Sequence, residues 1–126
     1  MHLPQRKSAL HRRVAELLRK AFPNFTVWEE HPIKVQLSGR VSTLFVDIIV
    51  KELNLAVECH GRQHFDFSPH LHGTRDAFAR SVERDQSKAE QLKDAGFAFL
   101  VVRYDEQKKL TVPVLMESIE NAIRSS

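Results

Sequence analysis

Cysteine is almost missing from this chain, with Cys59 alone among 126 residues. A single thiol excludes an internal disulfide and any cysteine-rich zinc cage, and it suits a reducing compartment. Long hydrophobic runs are missing as well, and no apolar segment approaches the ~20 residues that a membrane-spanning helix needs. The opening residues, MHLPQRKSALHRR, carry charge but no apolar signal core. The expectation is a cytoplasmic protein with no membrane partner. There is no internal repeat, no Gly- or Ser-rich linker and no strong charge of one sign: 19 basic against 16 acidic side chains leave a net +3. That small excess, with a pI near 9.2, permits a polyanionic partner without demonstrating one. The length suits one compact core, so residues 1–126 are expected to form a single domain.

What is present is ordinary globular material, 42% hydrophobic and 28% charged, with a legible order of elements. Leu10, Val14, Leu17, Leu18 and Ala21 recur at helical spacing and predict a first helix over 6–22, stopped by Pro23-Asn24. Residues 25–35 alternate loosely around Pro32 and predict an edge or first strand, with Ser38-Gly39 as the next turn. Two β-rich runs, 44–50 and 55–60, flank the polar Lys51-Glu52-Leu53-Asn54 and predict a hairpin. Residues 61–73 have no period and read as a long loop. A helix over 74–95 stopped by Gly96, a buried strand over 97–103 and a terminal helix over 112–124 complete the order αβββαβα. The crossover helix between the last two strands predicts a parallel pair and hence a mixed sheet covered by helices on both faces, an α/β fold.

Within the hairpin, pairing Val50 with Leu55 sets Asp47 opposite Glu58, because opposed residues of an antiparallel pair keep a constant index sum. Their β-carbons would then lie roughly 4.5–5.5 Å apart. Both acids interrupt apolar runs, FVDIIV and LAVECH, so both are expected to be buried, and two buried carboxylates that close repel each other unless a cation lies between them. His60 follows on the same face of its strand. An isolated strand acid is more often part of a solvated sheet face, but the continuous apolar flanks argue against that here. On the following helix, Val82, Asp85, Gln86, Ala89 and Leu92 form one stripe, which aims a third acid, Asp85, at the sheet; a salt bridge within the helix accounts for it equally well. The basic side chains Arg62, Arg75, Arg80, Arg84 and Lys88, along the loop and the second long helix, are candidates for phosphate contacts or simply a solvated face. His2, His11 and His31 are isolated in sequence, and His70 with His72 make only a two-ligand metal signal.

The order of elements, the Asp47…Glu58-Cys59-His60 signature and the later VERDQSKAEQLKDAGFAFLVVRYDE together resemble the PD-(D/E)XK restriction-endonuclease-like superfamily. The resemblance runs over about residues 9–105 and is strongest to the very-short-patch repair (Vsr) endonucleases and their EDxHD homing endonuclease relatives. It implies that Asp47 is the metal-binding aspartate, Glu58 the acid of the (D/E)xK half-motif, and His60 the residue standing where many members carry lysine. It likewise implies roles for His64 as a second active-site histidine, Glu16 as the first-helix glutamate and Asp85 as the acid after the loop. With one cysteine, the structural zinc site of the Vsr enzymes cannot be built, and Phe65 and Phe67 are the only aromatic residues in the loop that would carry a DNA wedge.

Such a site predicts a Mg²⁺-dependent DNA endonuclease, with Mn²⁺ as a substitute and with Asp47, Glu58 and the backbone carbonyl of Cys59 as metal ligands. His60 would serve the attacking water and His64 the leaving group, since imidazole titrates near pH ~6.5. With no room for a separate recognition domain, the chain is expected to nick DNA, to act as a homodimer, or to be a subunit of a larger system. The alternative class is a nucleic-acid-binding subunit that keeps the fold without catalysis.

Overall fold

The computed structural model describes residues 7–37, 39–62 and 66–126, with the side chains of residues 37, 70 and 71 outside that description. It is an α/β structure with the elements α1 (Ala9–Ala21), β1 (Val27–Leu37), β2 (Arg40–Val50), β3 (Leu55–His60), a short α2 (Pro69–His72), α3 (Arg75–Asp94), β4 (Ala98–Arg103) and α4 (Val112–Arg124). The four strands form one mixed sheet in the order β1-β2-β3-β4, antiparallel except for the parallel pair β3 and β4. None of the helices is long and apolar enough to cross a membrane among the described residues.

Local chemistry accounts for the boundaries. Ser8 caps α1 by accepting from the His11 amide, Thr74 caps α3 by accepting from Ala77, and Thr111 caps α4 by accepting from Val114. The β2–β3 connection is a single 3₁₀ turn, 51–53, closed by Asn54 in the left-handed region at φ 47°, a conformation asparagine tolerates better than most residues. Residues 69–72 of the expected loop form the one-turn α2, where Pro69 opens the turn and Gly73, at φ 78°, ends it. Phe67, His72 and Phe78 pack together there, with the Arg75 guanidinium 4.6 Å from the Phe67 ring centre. Phe67 is therefore held within the fold by its neighbours. Phe65 lies outside the described residues.

The sheet is buried on both faces. Leu10, Val14, Leu17 and Leu18 of α1 and Leu115 and Ile119 of α4 pack against Ile48, Val50, Leu55, Val57, Ala98 and Val102 on one face. Leu92 of α3, with Trp28, Phe97 and Phe99, covers Val46, Ile49 and Ala56 on the other. The apolar stripe of α4 packs on the sheet through Leu115 and Ile119, while Val114 and Ile123 stay exposed. On α3, Leu92 is the fully buried residue, Val82, Asp85 and Ala89 are half-buried, and Gln86 is exposed.

One irregularity positions the site. Strict alternation would put Val46 and Ile48 on the same face, yet Val46 packs with Ile49 and Leu92 while Ile48 packs against α1. The break falls at Asp47 and at its β1 neighbour Glu30, which together drop out of an otherwise continuous register between Glu29↔Ile48 and His31↔Val46. Glu30 stands at φ 48°, an uncommon conformation for a residue with a β-carbon, and such strain tends to collect at functional sites.

Candidate active site

The β2–β3 ladder pairs Val50 with Leu55, Ile49 with Ala56 and Ile48 with Val57, and then stops. One step further, Asp47 and Glu58 face each other, and their side chains take over the bonding that the backbone gives up. The Asp47 amide donates to Glu58 Oε2 at 2.8 Å, and the Cys59 amide donates to Asp47 Oδ2 at 2.8 Å. Each carboxylate thus holds the opposite strand, which satisfies two amides where the strands part. Asp47 Oδ1 is left without a hydrogen bond among the described residues.

Glu58 is 4% exposed. Its other oxygen, Oε1, is paired with the ammonium of Lys88, which reaches across from α3 and also donates to the Phe45 carbonyl of β2. Burial pushes the Glu58 pKa up to about 7, and the Asp47 charge pushes the same way; together they outweigh the attraction of Lys88 and the hydrogen bond from Asp47. The Cys59 thiol is driven far up by burial and then by Asp47 and Glu58, so it stays protonated and is a poor thiolate ligand or nucleophile. Its backbone is what remains available to the site.

These groups line a cavity of about 490 Å³, together with His60, Glu30 and Asp85. Lys7 to His11, at and just before the start of α1, line it too, with Tyr104 and Gln107 from the 3₁₀ turn after β4. His60 is buried, and it and Asp85 also line a neighbouring, mostly apolar hollow with Phe99, Val101 and Arg103. The structure therefore brings Asp47, Glu58, His60 and Asp85 to one place and adds Lys88. Glu16 is elsewhere: it is exposed on α1 and pairs with Arg13 at 3.0 Å. It does not line the cavity, because the buried stripe of α1 is Leu10, Val14, Leu17 and Leu18. His64 lies outside the described residues, as does the His70 side chain, and His72 is occupied within its own turn, accepting from the Ser68 amide at 2.9 Å.

Of the five candidate phosphate-binding residues, Arg62, Arg75, Arg80 and Arg84 are exposed. Arg62 pairs with Asp66 at 3.4 Å. Lys88 differs from them, since its side chain is only 24% exposed and its ammonium is committed to Glu58. Sequence reasoning missed Glu30, whose only signal was its place one residue before His31 and Pro32 in a poorly alternating strand. It also missed His11, which is 6% exposed and bonds through Nε2 to Glu29 Oε1 at 3.0 Å. Glu29 also takes Lys7 and Arg19, at 3.2 and 3.0 Å, tying α1 to β1.

Among the described residues, no three His, Cys, Asp or Glu side chains converge closely enough to hold a metal ion. Mg²⁺ does not need such a cage, because it keeps several waters and is commonly held by one or two carboxylates plus substrate phosphate. Asp47 with a spare oxygen, the opposed Glu58 and the adjacent backbone of Cys59 are a hard, oxygen-only donor set of that kind.

No protein-family model matches the chain. The chain is similar to "Uncharacterized protein 307L" of Invertebrate iridescent virus 6, with 32% identity over 89 residues, which is 71% of this chain and 43% of that protein. It spans less than half the length of the relative it matches.

Proposed function

We propose that this chain is a metal-dependent endonuclease that hydrolyses phosphodiester bonds in DNA, built on a restriction-endonuclease-like domain of the PD-(D/E)XK type nearest the Vsr and EDxHD branch. The observation that carries this reading is the Asp47–Glu58 pair. Two carboxylates are set face to face where both neighbouring ladders break, one of them buried with its pKa raised to about 7, on the wall of an open cavity. A core has no structural need for that arrangement, which costs stability through repulsion and lost hydration.

Asp47, Glu58 and the Cys59 carbonyl would hold Mg²⁺, or Mn²⁺ in its place, and the ion would supply stabilisation of the charge that builds on phosphorus and its oxygens. The protein's own groups do the rest. The amides of Asp47 and Cys59 fix the two carboxylates so that they need no reorganisation. His60, buried beside Glu58, takes the proton of the attacking water, and His64 serves the leaving oxygen. Lys7, which lines the cavity, offers positive charge to the substrate phosphate. Arg80 and Arg84, exposed on α3, serve the DNA backbone outside the cavity.

A second reading, a nucleic-acid-binding module without catalysis, draws on one feature: Lys88 already balances Glu58 with a fixed ammonium. Cleavage of supercoiled plasmid separates the two. Wild-type protein with Mg²⁺ or Mn²⁺ is expected to nick or linearise the plasmid, EDTA is expected to stop it, and Asp47→Ala is expected to be inactive. Wild-type protein that retards the plasmid yet leaves it and an RNA substrate uncut would favour the binding module.

A further inference from the structure

Arg75, Arg80, Arg84 and Lys93 of α3 are exposed, whereas Lys88 turns inward with its side chain 24% exposed. Its stem crosses from α3 to the sheet, and its ammonium bridges the Phe45 carbonyl of β2 and Glu58 Oε1 of β3. The two contacts span the gap where the strands part, and the same ammonium lies against one member of the acid pair while Asp85, one turn earlier on α3, lines the same cavity. A divalent ion that takes either oxygen of Glu58 as a ligand comes close to the ammonium that Lys88 holds against Oε1. Two positive groups on one carboxylate in a partly buried site repel each other strongly.

We propose that Lys88 is a built-in counter-ion that competes with the divalent cation for Glu58, and that cation binding releases its ammonium into the cavity, where it meets the anionic phosphate of the substrate. The proposal rests on the reading of Asp47 and Glu58 as a cation-binding pair. It gives Lys88 two successive partners, the carboxylate in the cation-free protein and the phosphate in the loaded one, so the cavity is not left with an uncompensated buried carboxylate in either state. It also explains why the lysine is placed on the helix: a stem rooted on α3 can swing between Glu58 and the cavity without disturbing the strand that carries Glu58.

The test is cation binding without DNA. Mn²⁺ is titrated calorimetrically into wild type, Lys88→Met and Lys88→Arg at rising pH until each affinity levels off, because losing Lys88 pushes the Glu58 carboxyl further up and only the plateau compares ionised carboxylates. The expected result is about tenfold tighter Mn²⁺ binding by Lys88→Met, within the usual range for linked binding events, and wild-type affinity for Lys88→Arg. Because Lys88→Met leaves Glu58 unpaired and can fail to fold, a second measurement uses wild type alone. Pulsed acetylation read by mass spectrometry should modify Lys88 severalfold faster with Mg²⁺ than without it.

Equal or weaker Mn²⁺ binding by a folded Lys88→Met, or a labelling rate indifferent to Mg²⁺, overturns the counter-ion proposal. If the wild type still binds Mn²⁺ and cuts plasmid, that proposal falls alone. If no variant binds Mn²⁺ and plasmid stays intact, the nuclease reading falls with it.

Discussion

Replacing Glu58 by glutamine is expected to make the protein more stable at alkaline pH while removing its activity, and the size of the gain follows from the site. The Glu58 pKa is raised from 4.5 to about 7, first by burial and then by Asp47. The folded state therefore binds the Glu58 proton more tightly than the unfolded chain does. A raised carboxyl contributes stability that is complete below the unfolded value of 4.5 and is lost as pH climbs through 7. At roughly 1.4 kcal/mol per tenfold change in proton affinity, the ionised side chain costs the fold on the order of 3 kcal/mol at pH 8 and about 1 kcal/mol at pH 5. Glutamine keeps the volume and an oxygen for the Asp47 amide, but it never ionises, so Glu58→Gln avoids both costs. Any penalty of the amide, steric or from depriving Lys88 of its carboxylate, is common to the two conditions, which leaves a difference of about 2 kcal/mol between them. Urea unfolding of both proteins at the two pH values, followed by far-ultraviolet circular dichroism, measures it. A glutamine variant that gains equally at both pH values, or is less stable at pH 8 than at pH 5 relative to wild type, would show that Glu58 is not the strained acid the site requires.

Two further outcomes follow from other parts of the structure. Partial burial tends to raise the Glu29 pKa, but hydrogen bonds from Arg19 and Lys7 carry it below its ordinary value. Its contribution is thus present above the unfolded carboxylate pKa and lost as pH falls, so Glu29→Gln should cost about 1–3 kcal/mol at neutral pH, with a melting-temperature gap to wild type that closes in acid. A gap that persists unchanged in acid refutes the ion-pair account of how α1 is held to β1. For the exposed α3 arginines, the double change Arg80→Ala/Arg84→Ala should flatten the dependence of log Kd for DNA on log salt by roughly two with melting temperature unchanged. An unaltered slope would place the DNA backbone elsewhere.

Much of the fold was legible because its signals are local. The helical stripe Leu10, Val14, Leu17, Leu18 is the buried stripe of α1, and the turn at 51–54 sets Val50 against Leu55. The crossover through α3 joins β3 and β4 as a parallel pair, the usual use of a helical connection. Other features had no local signal. The α2 turn was hidden because four residues give no period, and Glu16 looked eligible because position on a helix says little about which residue finally faces a cavity.

From the sequence by itself came the α/β alternation, the register that opposes Asp47 to Glu58, and the presence of a lysine one turn past Arg84. Those depend on chain spacing and on the two backbone periods, which neighbours in sequence settle. Tertiary structure alone decided that both ladders break at Asp47, that strained Glu30 joins the same cavity, that His11 is locked onto Glu29, and that Lys88 reaches over from α3 to pair with Glu58. Each of these joins residues far apart in the chain. Whether a long side chain ends in water or on a buried carboxylate is set by how the helix packs across the sheet, where the cost of an unpaired charge selects the partner.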